Sequence, residues 1–278
     1  MNKLNRTWLI TGCSSGLGRA FAQEVLKKGF NAVVTSRNIK DIQDIIESYP
    51  KTALGLALDV TNKEQIKNVV ERAEAKFKSI DVLMNNAGHG YRAAVEEGNE
   101  SRVSELFNTN FFSTVNMIKA VLPGMRKQKS GTIFNVSSIG GRYSNPGSGY
   151  YSATKFAIEG MSDALSKEVA PLGIRVIVVE PGAFRTDFAG RSLAGTPTEI
   201  SDYKETAGKR RKENDHTHGT ELGDPQKAAR VIIEIEEREN VPFRLLLGTD
   251  AIDLTRSELE NQMKELETWK DISLKTDY

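Results

Sequence analysis

Short apolar runs rich in β-branched residues alternate along the chain with amphipathic stretches of helical length. A strand buried on both faces is continuously apolar, whereas a helix that covers it repeats apolar residues every three to four positions. Regular alternation of the two patterns is typical of βαβ units, in which crossover helices join parallel strands. The apolar runs predict strands at Trp8–Ile10, Asn31–Ser36, Ala53–Leu58, Asp81–Met84, Thr132–Val136, Arg175–Val179 and Phe243–Leu247.

Helix-start and helix-stop residues define the intervening helices. Gly29 lies where a helix over Arg19–Lys28 would end, because glycine adopts the left-handed conformation of a C′ position. The other helices are expected from the capping-box spacing of Thr61-Asn62-Lys63-Glu64 to about Phe77, near Ser101–Val121, over Lys155–Ala170, and from Pro225 onward. The pattern therefore predicts a three-layer, doubly wound α/β fold around a seven-stranded parallel sheet.

We find no linker and no internal repeat, which predicts a single domain over residues 1–278. One irregular region, at about 183–223, is rich in Gly, Thr and charge. A connection of that length is usually functional or partly helical. The tail at about 250–270 has Ile252, Leu259, Met263, Leu266 and Trp269 at near-helical spacing, which predicts a helical extension packed on the body or on a second subunit.

Composition narrows the function classes. The chain has 278 residues and a formal net charge of +1, which argues against a protein devoted to nucleic acid or anionic membranes. Its single Cys excludes an internal disulfide and a four-cysteine zinc site. No apolar run approaches the ~18 residues of a membrane span, and the apolar stretch after Arg6 is too short for a signal peptide. We therefore expect a cytoplasmic protein without a metal.

A glycine-rich turn joins the first predicted strand to the first helix. Such a turn lets a pyrophosphate approach backbone N–H groups at the positive end of a helix. The spacing is Gly-x3-Gly-x-Gly and lacks the Gly-Lys-Ser/Thr ending of a P-loop. An ordinary glycine-rich turn is the alternative. The turn predicts a nucleotide site formed by Gly12, Ser14, Ser15, Gly16, Leu17 and Gly18.

The end of the second strand bears on the choice of cofactor. An NAD site places an acid there, about 20 residues beyond the turn, to bind the ribose 2′-hydroxyl. This chain has Ser36 followed by Arg37 instead. A guanidinium suits a 2′-phosphate, so NADP is predicted over NAD. The alternative is an arginine that is merely solvated at a strand end.

Ser137 and Ser138 follow a predicted strand, at the sheet edge where doubly wound folds bind ligands. Farther along, Tyr151 and Lys155 are four residues apart and share one helix face. An ammonium beside a phenol favours the phenolate, so we expect the pKa of Tyr151 to be lowered. This trio predicts an acid/base site.

One known family has these motifs in the same order: Thr11-Gly12-x3-Gly16-x-Gly18, Asn85-Asn86-Ala87-Gly88, Asn110, Ser138, Tyr151-x3-Lys155, and Pro181-Gly182 with Thr186. Over roughly residues 7–248 the chain resembles the short-chain dehydrogenase/reductase family, which has a Rossmann fold. It departs from the family at Ser113, where glycine is usual.

The resemblance implies a role for each catalytic residue. Tyr151 would exchange a proton with the substrate oxygen, and Ser138 would polarise that oxygen. Lys155 would hold the nicotinamide ribose and lower the pKa of Tyr151. Asn110 would kink its helix and support a water that relays protons to Lys155. The resemblance also assigns Asp59, Val60, Asn86, Ala87, Gly88, Pro181, Gly182 and Thr186 to cofactor binding, with Tyr151 and Lys155.

The expected activity is hydride transfer between NADP(H) and a carbonyl or alcohol. Phe184, Phe188 and Leu193 in the irregular region predict a hydrophobic substrate. The resemblance implies a homodimer or homotetramer. A regulatory NADP-binding protein without turnover is one alternative, and a dehydratase or epimerase is another.

Four weaker signals are interpreted as follows. The basic run Lys209–Lys212 is interpreted as a solvated loop face because acidic neighbours offset its charge. His216 and His218 have no third ligand in the sequence and are interpreted as surface residues. Cys13 is interpreted as a small filler, and His89 as a candidate for the substrate pocket.

Overall fold

The computed structural model describes residues 6–188, 193–211 and 219–278. The strands of the central sheet are β1 Thr7–Ile10, β2 Asn31–Ser36, β3 Ala53–Ala57, β4 Val82–Asn85, β6 Gly131–Val136, β7 Ile174–Pro181 and β9 Arg244–Leu247. These seven strands are parallel and lie in the order β3-β2-β1-β4-β6-β7-β9. The order reverses between β1 and β4, which opens a crevice at the carboxyl ends of these strands.

Helices cover both faces of this sheet, so the doubly wound α/β prediction is confirmed. They are α1 Gly16–Lys27, α2 Gln43–Ser48, α3 Lys63–Phe77, α4 Glu100–Phe107, α5 Ser113–Gln128, α6 Gly149–Val169, α7 Pro225–Glu237 and α8 Thr249–Ser273. Side chains alternate across each strand, so Trp8 and Ile10 enter one buried cluster and Leu9 enters another. The sheet is consequently packed on both sides.

Two predicted helix features are wrong in detail. Helix α3 is capped by Asn62, whose side chain accepts from the backbone of Glu64 and Gln65, while the Thr61 hydroxyl donates to Asp59. Asn62 displaces the predicted cap because its carboxamide reaches both amides from one position. The single helix expected near Ser101–Val121 is divided into α4 and α5 by a π-helical turn at Asn108–Phe112.

The structure contains a second, small sheet that the sequence did not predict. Strand β5 Gly90–Arg92 pairs in parallel with β8 Leu193–Gly195. These strands are too short to produce a clear alternation of apolar and polar residues. They lie between the carboxyl end of β4 and the irregular region, and so extend the edge at which the crevice opens.

The tail forms the long helix α8, of which only Ala251 and Thr255 are buried. The exposed fractions of Leu259, Met263 and Leu266 are 47%, 58% and 56%. The prediction that this helix packs on the body is therefore wrong for most of its length. Packing on a second subunit stays a prediction. None of the helices in the described ranges is long and apolar enough to cross a membrane.

Candidate active site

The glycine-rich turn between β1 and α1 is shaped to admit a phosphate group. Gly12 and Gly16 have φ angles of 74° and 58°, a region that favours glycine. A Cβ at Gly18 would lie 2.3 Å from both Asn86 Nδ2 and Gly12 O. Ser15 precedes α1 without capping it through its side chain, so amides of the first turn keep their donors for a ligand. These features fit the pyrophosphate of a dinucleotide.

Thr11 and Asn86 hold this turn in place. The Thr11 hydroxyl accepts from the backbone N of Asn86 and of Ala87, both at 3.0 Å. Asn86 Nδ2 donates to Thr11 O at 2.9 Å and to Gly12 O at 3.2 Å. The turn after β1 is therefore bonded to the end of β4. Thr11 was not among the predicted site residues, although its place before Gly12 was a usable signal.

Arg37 lies exposed just beyond β2, with no carboxylate paired to it in the described part of the chain. Its charge helps to lower the pKa of Asp59, although the main cause is the hydrogen bonds that Thr61 donates to that carboxylate. The neighbouring Val60 is buried within the core cluster. Arg37 and Asp59 therefore lie at the same edge of the sheet, at the carboxyl ends of β2 and β3, and the Asp59 carboxylate is already hydrogen-bonded.

Ser138, Tyr151 and Lys155 converge where β6 meets α6. The Ser138 side chain lies beside the phenol of Tyr151 and acts to lower its pKa, and Ser138 Oγ accepts from Gly140 N at 3.0 Å. Lys155 Nζ lies 5.7 Å from the centre of the Tyr151 ring and donates to Val136 O at 2.9 Å. The spacing of four residues thus brings phenol and ammonium to one face, as predicted.

The prediction that the pKa of Tyr151 is lowered is wrong for the protein alone. Burial raises the pKa of Tyr151, and the Ser138 hydrogen bond and the charge of Arg92 only oppose that rise. Burial also lowers the pKa of Lys155 to about 8, against the opposing charge of Glu159. The ammonium is itself destabilised by the burial that brings it close to the phenol. Tyr151 is consequently a neutral proton donor at physiological pH.

Asn110 lies in the π-helical turn that separates α4 from α5. Its Nδ2 donates to His89 O at 2.9 Å and to Thr154 Oγ1 at 3.1 Å, and its Oδ1 accepts from His89 N at 3.0 Å. A Cβ at Gly88 would lie 3.1 Å from Asn110 Oδ1 and 3.8 Å from Lys155 Nζ. Asn110 therefore joins the segment after β4 to the helix that carries Tyr151.

The loop after β7 closes the cleft from the other side. A Cβ at Gly16 would lie 3.5 Å from Thr186 Cβ, so this loop lies directly against the glycine-rich turn. Gly182 N donates to Leu247 O at 2.9 Å, and Ala183 N donates to Asp250 Oδ2 at 2.7 Å. Sequence reasoning missed Asp250, which fixes this loop from the first turn of α8. A Cβ at Gly182 would strike that carboxylate at 2.2 Å.

The irregular region only partly matches its predicted apolar inner surface. Phe188 has its ring centre 5.9 Å from that of Tyr151, and a Cβ at Gly90 would lie 2.6 Å from Leu193 Cδ1 and 3.4 Å from Phe188 Cζ. These residues form an apolar wall beside the phenol. The prediction for Phe184 is wrong, because its ring packs against Gly223 and the main core cluster.

Arg211, in the basic run Lys209–Lys212, does not lie on a solvated face as the sequence predicted. Arg211 donates from Nη1 to Glu97 Oε2 at 2.7 Å, and the side chain of Glu97 is inaccessible to solvent. The same carboxylate accepts from Ile200 N at 2.9 Å. Lys212, His216 and His218 lie outside the described residues. Within the described ranges, no three His, Cys, Asp or Glu side chains converge as metal ligands.

Two single residues complete the site. Cys13 is fully buried and burial raises the pKa of its thiol to about 12, which confirms its interpretation as a filler. Burial lowers the pKa of His89, whose backbone is fixed by Asn110.

Parallel strands that end at a glycine-rich turn and a Ser–Tyr–Lys cluster define a class of proteins, the nicotinamide-dependent oxidoreductases with a Rossmann fold. A family model described as short chain dehydrogenase matches residues 6–196. The chain belongs to the short-chain dehydrogenase family.

Relatives agree with this assignment. The oxidoreductase BOA17 of Botryotinia fuckeliana is 37% identical over 272 residues, which cover 98% of this chain and 99% of the relative. A protein of Bacteroides thetaiotaomicron named 3-ketodihydrosphingosine reductase is 41% identical over 243 residues, which cover 86% of this chain and 87% of the relative. A short-chain dehydrogenase structure from Streptomyces avermitilis has a TM-score of 0.92 at 39% identity, with 99% of each chain covered.

Solved structures of this fold hold either form of the cofactor. A Burkholderia phymatum protein, with a TM-score of 0.81 at 21% identity and coverage of 94% and 97%, is in complex with NAD. The protein ElxO, with a TM-score of 0.74 at 28% identity and coverage of 89% and 99%, has NADP bound. The relatives therefore support a nicotinamide cofactor without choosing between the two.

Proposed function

We propose that this protein is an NADP(H)-dependent carbonyl reductase or alcohol dehydrogenase that acts on a small hydrophobic molecule. The observation that carries the proposal is the convergence of the Tyr151 phenol, the Ser138 side chain and the Lys155 ammonium beside an apolar wall. A regulatory protein that only binds nucleotide has no use for this arrangement. A dehydratase or epimerase usually has a larger substrate domain, whereas the described residues form one main sheet with its helices and one two-stranded sheet.

The protein's own residues move the proton. Tyr151 donates its proton to the substrate oxygen during reduction and takes it back during oxidation. Ser138 hydrogen-bonds that oxygen and draws charge onto it. Lys155 would hold the nicotinamide ribose when the cofactor is bound, and Asn110 would support a water that returns protons to Lys155. The bound cofactor supplies or accepts the hydride.

The glycine-rich turn would hold the pyrophosphate, and Asp59, Val60, Asn86, Ala87 and Gly88 would surround the adenosine. Pro181, Gly182 and Thr186 would seat the nicotinamide, since their loop lies against Gly16. Arg37 favours NADP because its exposed guanidinium is available to a 2′-phosphate.

Phe188 and Leu193 support a hydrophobic substrate, and the name of the Bacteroides relative specifies a ketone. We also propose a homodimer or homotetramer in the cytoplasm. A light-scattering mass equal to the 30.7 kDa chain would refute the oligomer.

Tyr151→Phe tests the proposal, because it removes only the hydroxyl. Turnover of a panel of ketones, aldehydes and alcohols, followed by nicotinamide absorbance, should fall by about a thousand-fold. NADPH should still bind, as measured by fluorescence titration. Tyr49→Phe removes a phenol at the end of α2, away from the catalytic trio, and serves as the control. Full activity in Tyr151→Phe would refute the mechanism, and an unmodified protein that binds NADPH without any turnover would favour the regulatory alternative.

A further inference from the structure

Several partly buried arginines of this protein share one kind of partner, a buried glutamate, that Arg92 lacks in the part of the chain that the structure describes. A guanidinium removed from water needs a compensating charge, because an unpaired buried ion is costly. Four glutamates with almost inaccessible side chains provide that charge, in the pairs Arg6–Glu236, Arg175–Glu236, Arg142–Glu180, Arg244–Glu159 and Arg211–Glu97. Arg92 is also partly buried, yet it has no carboxylate partner within residues 6–188, 193–211 and 219–278.

Arg92 lies beside the catalytic helix. Its Nη1 donates to the hydroxyl of Ser148, the residue that precedes α6 and lies one turn before Tyr151. The backbone is fixed as well, since Ala93 N donates to Gly147 O and Thr196 N donates to Arg92 O, both at 3.0 Å. The Nε of Arg92 is inaccessible and has no hydrogen-bond partner. The guanidinium is thus held by one neutral hydroxyl.

The groups around Arg92 do not neutralise its charge. Burial lowers the pKa of Arg92, the positive charge of Arg210 lowers it further, and the phenols of Tyr151 and Tyr143 act in the opposite direction. Among the described residues, the groups that act on the Arg92 charge are therefore one further cation and two phenols. An anion placed here would relieve the repulsion and satisfy the unused donors.

The small sheet shows how a ligand could reach both Arg92 and Tyr151. Side chains two positions apart on a strand share a face, so Gly90 and Arg92 face the same side of β5. Gly90 pairs with Leu193, which contributes to the apolar wall beside Tyr151, whereas Arg92 pairs with Gly195. Gly195 is exposed, and a Cβ there would meet no atom of the described residues within 4 Å, so this part of the chain leaves the space beside the guanidinium open. The apolar wall that includes Leu193 and the guanidinium of Arg92 therefore lie next to each other on one face of the small sheet.

We propose that Arg92 binds an anionic group of the substrate, a carboxylate or a phosphate, while the carbonyl carbon of the same molecule lies at Tyr151. This inference rests on the proposed function and narrows its substrate class to carbonyl compounds that join an apolar chain to an anion. The open face at Gly195 gives that anion its entrance.

Binding without turnover gives the first test. Hexanoate, hexyl phosphate and hexanamide are titrated by calorimetry into the protein saturated with NADP⁺, so that the cofactor's own phosphate sites are filled. One of the two anions should bind at least ~10-fold more tightly than the neutral amide. Which anion does so identifies the carboxylate or the phosphate as the ligand.

Matched variants assign that preference to Arg92. Arg92→Gln should abolish it, and Arg92→Lys should retain a part, since lysine keeps the charge but lacks the planar donors. Arg238→Gln removes an exposed guanidinium that pairs with Glu234 at the end of α7, and should leave the preference intact. Equal affinity for anion and amide, or an anion preference that survives Arg92→Gln, would overturn the proposal.

Kinetics separates this proposal from the proposed function. The ratio of kcat/KM for 5-oxohexanoate to that for its methyl ester should exceed one and should fall by about 10- to 100-fold in Arg92→Gln. If Arg92 acted only on the Tyr151 pKa, both substrates would lose activity equally and the ratio would stay unchanged. Reduction of the ester without anion binding would refute the anion site alone. Anion binding without turnover of any carbonyl compound would refute the proposed function alone.

Discussion

The two sides of the catalytic cleft are built from different kinds of contact. The cofactor side consists of turns that directly follow strands, and its bonds join neighbouring strands, as between Thr11 and Asn86. The substrate side depends on Glu97, which bonds to Thr196, Ile200 and Arg211 at separations of 99 to 114 residues. One side is fixed by the regular sheet, whereas the other is held by polar contacts between distant segments.

This difference predicts which changes disrupt each side of the cleft. The cofactor side has a backbone geometry that tolerates no added atom, so small steric changes should abolish binding. The substrate side has one buried carboxylate, which accepts from Ile200 N and from Arg211, so its failure should depend on charge and pH. Four predictions, in order of decreasing effect, test that contrast.

Gly18→Ala should have the largest effect, because its Cβ would overlap backbone and side-chain atoms of the glycine-rich turn at 2.3 Å. We expect NADPH affinity, measured by fluorescence titration, to fall by at least ~100-fold. Gly160→Ala is the matched control, since a Cβ at that helical glycine meets nothing within 4 Å. Unaltered NADPH binding in Gly18→Ala would show that the turn is less constrained than its geometry indicates.

Arg37→Ala should have the next largest effect and act on cofactor choice alone. The ratio of NADPH to NADH affinity should fall by about 10- to 100-fold, because a charge-assisted contact to the 2′-phosphate is lost. The affinity for NADH should stay the same. Lys40→Ala, an exposed cation nearby, is the control. Equal affinity for the two cofactors in the unmodified protein would refute the NADP preference.

The sequence predicted these two sides unequally, for a physical reason. Gly12, Gly16 and Gly18 act through local backbone conformation, which a strand–turn–helix pattern encodes within eight residues. Tyr151 and Lys155 follow from helical spacing. The strand pair at Gly90 and Leu193 and the Arg211–Glu97 bond arise only when distant segments meet. Neither they nor Asp250 leave a periodic signal in the chain.

Burial likewise cannot be read from adjacent residues. The sequence placed a cation beside Tyr151 and therefore predicted a lowered pKa, but the depth of the site raises it. For the same reason Arg211 was assigned to solvent, although its side chain is only 16% exposed. Spacing determines which groups are neighbours, and the packed fold determines how much water they retain.

Glu97→Gln should have an intermediate effect that depends on pH. The hydrogen bond from Arg211 lowers the pKa of Glu97 to about 2, against the opposing effect of burial. A depressed pKa stabilises the fold above the pKa of the unfolded chain and loses that contribution as the pH falls. The variant should therefore lose about 2 kcal/mol of unfolding free energy at neutral pH, and the loss should shrink below about pH 4.

Urea unfolding across the pH range measures this effect, and hydrogen exchange at Ile200 N locates it on the substrate side. Glu71→Gln, at an exposed pair on α3, is the control. NADPH affinity should be unchanged in both variants. A Glu97→Gln loss that is the same in acid and at neutral pH would contradict the assigned charge.

Asn62→Ala should have the smallest effect, because it removes a helix cap that neither side of the cleft uses. Asn62 accepts from Glu64 N at 3.0 Å and from Gln65 N at 3.1 Å. Thermal unfolding should show a loss of about 1 kcal/mol, with Asn62→Asp as the control that retains the cap. Cofactor affinity and turnover should not change, because stability lost at α3 is not transmitted to either side of the cleft. A larger loss of unfolding free energy in Thr61→Ala than in Asn62→Ala would show that Thr61 caps α3, as the sequence predicted.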